Sequence, residues 1–307
     1  MSLAFVFPGQ GSHRPGALGA WDGHPAAGVL AEVEAGLGRD VRALAEDPSA
    51  GSRTADAQPA ILAAALVAWR ALTDAGVRAD VLAGHSLGEY TASIAAGALS
   101  VEVGTQVVAA RGRAMGAACR ATPGTMAAVV KLNPQAVEVL VDRIDDLVIA
   151  NDNAPGQVVV AGSAEAVAKL REVARDAGGR ALPLDVEGAF HSPAMAPAVP
   201  VVRDALAAAG AVDAVTPVVS GATAREATDA TTLTEALVDG ILSPVRWREV
   251  QLRFVELGVT TIVEVGAGGV LAGLAKRTVP ELSVHTVATP EDLDGVLEVL
   301  AVGTSAP

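Results

Sequence analysis

Gly84, His85, Ser86, Leu87 and Gly88 spell a G-x-S-x-G pentapeptide between an apolar run, Val81-Leu82-Ala83, and a helix-forming stretch, Glu89 to Ala98. A motif in this setting demands a strand, a sharp turn and a helix in immediate succession. The two glycines let strand and helix backbones approach closely, and the turn holds the serine hydroxyl at its tip beside helix N-terminal amides. Ser86 is therefore the leading candidate nucleophile.

The rest of the chain supplies the sheet that such an elbow needs. Leu3 to Phe7, Val81 to Ala83, Val218 to Ser220, Thr261 to Val265 and Val284 to Val287 read as short buried strands, and Ala-rich segments such as Ala57 to Ala75 and Val101 to Cys119 read as helices between them. This alternation predicts a parallel sheet covered by helices, an α/β-hydrolase-like large domain. One interval departs from it. Met126 to Leu132, Val158 to Ala161 and Ala181 to Val186 read as strands separated by helices over Pro134 to Ile144 and Ala164 to Ala177, a small split-βαβ unit. Breakers at Thr122-Pro123-Gly124, Gly188 and Ser192-Pro193 bound it. The expected organisation is a catalytic domain of residues 1–122 and 190–307 with a subdomain, 123–189, inserted, and a ligand cleft between the two.

Composition removes several function classes. A formal charge of -13 and 3% aromatic residues argue against nucleic-acid binding, which needs clustered cations and stacking platforms. Cys119 is the only cysteine and the five histidines show no ligand spacing, so neither a disulfide nor a metal site is expected. The longest apolar run, Ala60 to Trp69, has ten residues, about half of the ~20 that cross a bilayer. The N-terminus reads as a first strand rather than a secretory signal, and Gly303 to Pro307 as a frayed tail. A cytoplasmic, monomeric enzyme is expected. Gly266-Ala267-Gly268-Gly269 lacks the third glycine and acidic residue of a dinucleotide fingerprint and reads as a strand-to-helix turn, so no bound cofactor is implied.

A serine at neutral pH needs a base, and histidine is best matched to the task. His191, where the chain leaves the insertion, and His285, late in the chain, are the candidates. His85 is expected to point away from its neighbour Ser86 and to pack or hydrogen-bond.

Six blocks in order then carry a resemblance: Phe7-Pro8-Gly9-Gln10-Gly11-Ser12, Ala57-Gln58-Pro59-Ala60, Gly84-His85-Ser86-Leu87-Gly88-Glu89-Tyr90, Asn151-x-Asn153-x-Pro155-Gly156-Gln157, Ala189-Phe190-His191 and Ser243-Pro244-Val245-Arg246-Trp247. Together they resemble the malonyl-CoA:acyl carrier protein transacylases over nearly the whole chain, and that family's inserted ferredoxin-like domain falls in the interval noted above. The resemblance implies that Ser86 takes the malonyl group from malonyl-CoA as an ester, that His191 is its base, and that the phosphopantetheine thiol of an acyl carrier protein takes the group off. It further implies an oxyanion hole from the backbone amides of Gln10 and Leu87, a carboxylate-binding Arg111, and a main-chain carbonyl at Arg246 that orients the histidine. By its surroundings alone Arg111 reads as a snorkelling surface residue, and Arg113 serves as its local control.

Finer roles stay open in the sequence. Gln58 lines the cleft or caps a helix; Asn153 fixes the base's loop, binds the pantetheine arm or forms a turn. Phe190 is expected to fill the space that an α-methyl group needs, and Gly188 stands where related modular enzymes carry histidine. Arg246, Arg248, Arg253, Lys276 and Arg277 are candidates for a basic docking patch. The competing readings are a polyketide trans-acting acyltransferase for another acyl unit or for carrier-to-carrier transfer, a serine acyl hydrolase using His285, and a silent carrier-docking scaffold.

Overall fold

Parallel strands buried on both faces read as unbroken apolar runs, and Leu3-Ala4-Phe5-Val6-Phe7 is such a run, every residue of it buried. The computed structural model, which describes residues 2–304 with side chains through residue 301, makes it a central strand of a six-stranded sheet. Strands β1 (Leu3–Phe7), β2 (Val81–Gly84), β7 (Val218–Val219), β9 (Thr261–Val265) and β10 (Ser283–Val287) run parallel in the order β10-β9-β1-β2-β7. A sixth strand, β8 (Glu226–Ala227), returns antiparallel on β7. Phe7 and Gly84 are register partners, so the loops that leave β1 and β2 emerge side by side.

A second sheet holds β3 (Thr125–Val130), β4 (Leu147–Ala154), β5 (Gln157–Gly162) and β6 (Arg180–Pro183), all antiparallel in the order β4-β5-β3-β6. With helices Pro134–Val141 and Ala164–Asp176 this makes β-α-β-β-α-β, one strand more than the sequence pattern suggests. The added strand is β4. Its Asn151-Asp152-Asn153 segment carries turn-type residues, but two register shifts let it stay in the sheet while burying Asn151 and Asn153.

The Ala-rich helix Thr54–Asp74 begins three residues before the expected Ala57. Its small residues let it lie close against Val101–Ala121, where a Cβ on Gly112 would stand 3.1 Å from the Thr54 carbonyl. That contact carries residues 54, 58 and 111 to one place. Gly303 and Thr304 close the last helix, Pro290–Thr304, rather than fraying, and residues 305–307 of the expected tail lie outside the described residues. Among the described residues no helix is long and apolar enough to cross a membrane.

Candidate active site

The elbow leaves no room for side chains at its glycines. A Cβ on Gly84 would meet the backbone of Gly88 at 1.9 Å, and one on Gly88 would meet the Phe7 carbonyl oxygen at 2.0 Å. The His85 amide donates to that same Phe7 oxygen at 3.0 Å, which clips the turn to the end of β1. Ser86 is forced to φ 54°, a left-handed conformation that costs a non-glycine residue about 1–3 kcal/mol. His191 sits at φ 56° under the same penalty.

These two strained residues meet. Ser86 Oγ lies 2.9 Å from His191 Nε2, and His191 Nδ1 lies 3.1 Å from the Ser243 carbonyl oxygen. A carbonyl only accepts, so Nδ1 carries the proton and Nε2 offers its lone pair to the serine hydroxyl. Burial pushes the imidazole down to about 3, with Arg111 and His85 acting in the same direction. The ring is therefore neutral at pH 7 and free to accept a proton.

The carbonyl partner is a correction to the sequence reading, which assigned it to Arg246. The Arg246 carbonyl accepts from the Val250 amide at 3.0 Å as the first bond of helix Trp247–Glu256, so it is already committed. Ser243, three residues earlier in the same block, precedes the helix and keeps its carbonyl free to turn inward. The Arg246 side chain pairs with Glu249.

Arg111 is buried rather than snorkelling, whereas Arg113 is exposed. The Arg111 Nη1 donates to Gln58 Oε1 at 2.7 Å and Nη2 to Ser86 Oγ at 3.1 Å, and the guanidinium stands 5.1 Å from the Tyr90 ring centroid. Its Nε has no partner, and among the described residues Arg111 forms no salt bridge. Gln58 neither caps a helix nor faces open solvent; it is buried mid-helix and orients Arg111. The amides of Gln10 and Leu87 donate to no group among the described residues, and Leu87 directly precedes the elbow helix Gly88–Ala95.

His85 turns away from Ser86. Its Nε2 meets Asn153 Oδ1 at 2.8 Å and its ring edge packs on Trp247. The Oδ1 of Asn153 thereby clasps β4 to the elbow. Phe190 is buried beside the base. His285 is far from this chemistry in the sheet, on edge strand β10, bonded to Ser283. Of the five docking cations, Arg246, Arg248 and Arg253 are tied into ion pairs and Arg277 to Gln157.

Three residues escaped the sequence reading. Ser243 lay within a quoted block, three positions off. Glu89, also within a block, is a buried carboxyl that accepts from the Gly221 amide at 2.8 Å and is pushed up to about 7 by burial. Thr54 carried one signal, its position one helical turn before Gln58.

A strained serine elbow at the carboxyl end of a parallel sheet, with a neutral histidine on its hydroxyl and an unengaged amide on the residue after it, has the chemistry that acyl transfer requires. A family model described as an acyl transferase domain matches residues 4–292. The malonyl CoA-acyl carrier protein transacylase of Bacillus subtilis is 36% identical, with 97% of each chain covered. That of Mycobacterium tuberculosis is 37% identical over 95% of this chain and 98% of its own. Among solved structures, an acyl-carrier-protein S-malonyltransferase from Burkholderia pseudomallei superimposes with a TM-score of 0.92 at 37% identity, covering 97% of this chain and all of that one. A malonyl-transacylase solved in complex with its type II polyketide acyl carrier protein gives 0.92 at 33%, covering 97% and 100%. The chain belongs to the acyl transferase domain family, among the malonyl CoA-acyl carrier protein transacylases.

Proposed function

We propose that this protein moves a malonyl group from malonyl-CoA to the phosphopantetheine thiol of an acyl carrier protein through an ester on Ser86. The observation that carries the substrate is Arg111, a buried guanidinium with no carboxylate paired to it and with its Nε unpartnered. A buried cation held this way is matched by an anionic ligand, and a carboxylate meets it with two parallel charge-assisted bonds.

The malonyl carboxylate draws Arg111 Nη2 off Ser86 Oγ. His191 Nε2 takes the hydroxyl proton as Oγ attacks the thioester carbonyl, and the amides of Gln10 and Leu87 receive the oxyanion. Collapse breaks the carbon–sulfur bond, and the departing CoA thiolate takes the proton from His191. The carrier thiol then returns a proton to His191, attacks the ester and restores Ser86. Phe190 narrows the site against an α-methyl group, a preference worth ~1–3 kcal/mol. The insertion, read as residues 123–189, forms one wall of the cleft and presents Asn153 to the elbow. Likeness to a transacylase solved with a type II polyketide acyl carrier protein supports an acyl carrier protein as the partner; whether it serves fatty-acid or polyketide synthesis, this protein is read as a cytoplasmic enzyme.

Incubation with a panel of acyl-CoAs, followed by the mass of the Ser86 peptide, tests this reading. A malonyl adduct that persists until carrier protein is added is the expected result. Rapid release of free malonate without carrier would make the protein a hydrolase instead.

A further inference from the structure

Thr54 is completely buried at the start of helix Thr54–Asp74, where a Cβ on Gly116 would stand 3.4 Å from its methyl group. Its hydroxyl sits in the middle of a chain of side chains. Arg111 Nη1 donates to Gln58 Oε1 at 2.7 Å, Gln58 Nε2 donates to Thr54 Oγ1 at 2.8 Å, and Thr54 Oγ1 donates to Gln10 Oε1 at 3.0 Å. The direction of this chain is forced from one end. Arginine has donors only, so the Gln58 atom facing it is the oxygen and the amide nitrogen faces Thr54. The threonine oxygen accepts there, and its single proton goes on to Gln10. In the structure Gln10 presents its oxygen to that proton and turns its NH2 away. That Nε2 is buried and has no partner.

Two orphan donors thus end one relay: Arg111 Nε and Gln10 Nε2. The loop that bears Gln10 packs on the elbow, where a Cβ on Gly9 would meet the His85 carbonyl oxygen at 2.3 Å. We propose that Thr54 is a positioning residue for acylation, its hydroxyl holding the Gln10 carboxamide so that the free NH2 donates to an oxygen of the malonyl group whose carboxylate Arg111 holds. Without the hydroxyl, the Gln10 carboxamide loses the hydrogen bond that holds its oxygen away from the acyl group, and its flipped orientation sets that oxygen against the acyl oxygens. This inference rests on the malonyl-transfer reading.

The test is the single-turnover rate of malonyl-enzyme formation from malonyl-CoA, read by intact mass, in Thr54→Val, Thr54→Ser, Gln10→Leu and Thr54→Val/Gln10→Leu. Thr54→Val is expected to slow acylation about 10-fold, and Thr54→Ser to stay within about 3-fold of the parent. Gln10→Leu, which leaves the buried relay's first half untouched, is expected to slow it by as much as Thr54→Val. The double variant should be no slower than the slower of the two single variants, because both act on one hydrogen-bonded relay; independent structural damage would multiply the losses. Parent rates in Gln10→Leu, or multiplied losses in the double variant, overturn the relay whatever the stability of Thr54→Val. A parent protein that forms no malonyl ester overturns both the relay and the reading beneath it.

Discussion

At Ser86 and His191 the backbone is held in a conformation that each residue alone disfavours, and the two side chains meet only because both are so held. Left-handed φ at Ser86 lifts the hydroxyl out of the turn; the same twist at His191 swings its ring from the exit of the insertion to the elbow. Arg111 completes the residue-scale picture, since its Nη2 donates to Ser86 Oγ, the contact that the proposed malonyl carboxylate would displace. Replacing Arg111 by alanine should lower malonyl transfer by ~100-fold or more while sparing acetyl transfer, because the acetyl group has no charge for the arginine to meet. Parallel rates with malonyl-CoA and acetyl-CoA check this. An unchanged malonyl rate would remove the carboxylate clamp. The serine and histidine lie in ordered motif blocks; the arginine lies outside them, reads as a surface residue by its surroundings, and is singled out only by the resemblance. Thr54 was not legible, because only its partner Gln58 is one helical turn away, while Gln10 and, beyond Gln58, Arg111 are distant in the chain.

Between elements, one close contact joins the end of helix Val101–Ala121 to the segment leading to His191. A Cβ on Gly188 would lie 2.4 Å from Cys119 Sγ. A side chain there is therefore excluded by the cysteine, which accounts for the glycine at this position. Gly188→Ala should destabilise the protein by about 1–3 kcal/mol, the usual penalty for overpacking, and Cys119→Ala in the same chain should recover most of the loss. Urea melts of both single variants and the double measure it; strictly additive losses would place the strain elsewhere. The strand β4 teaches a related lesson about elements. Asn151-Asp152-Asn153 has the composition of a turn, yet its flanking sheet partner and the backbone of residues 243–247, paired through Asp152 and Val245, keep it extended. Tertiary pairing overrode local propensity.

Over the whole molecule, burying the site sets two opposed pH dependences. His191 is kept neutral, so its contribution to stability is present above its ordinary value of 6.5 and is lost as pH falls toward about 3; His85, also lowered by burial, acts in the same sense. Glu89 is raised from 4.5 to about 7, so its contribution is full below 4.5 and is lost as pH rises through 7. Between pH 4.5 and 6.5 the two slopes oppose each other. Glu89→Gln, which stays neutral throughout, should lose stability more steeply than the parent as pH falls across that window. Superimposable pH–stability curves from denaturant titrations would show that Glu89 is not the compensating group. By itself the sequence determined the alternation of buried strands and helices and the elbow with its candidate nucleophile, since each is written in local periodicity or in a contiguous motif; it left the base open between His191 and His285 and the cation to the resemblance. Only the tertiary structure decided that Ser243 rather than Arg246 turns its carbonyl to His191, that Asn153 clasps His85, and that Thr54 joins Arg111 to Gln10. Those choices depend on which atoms the packed helices and sheets leave within about 3 Å of one another, a distance that no spacing along the chain encodes.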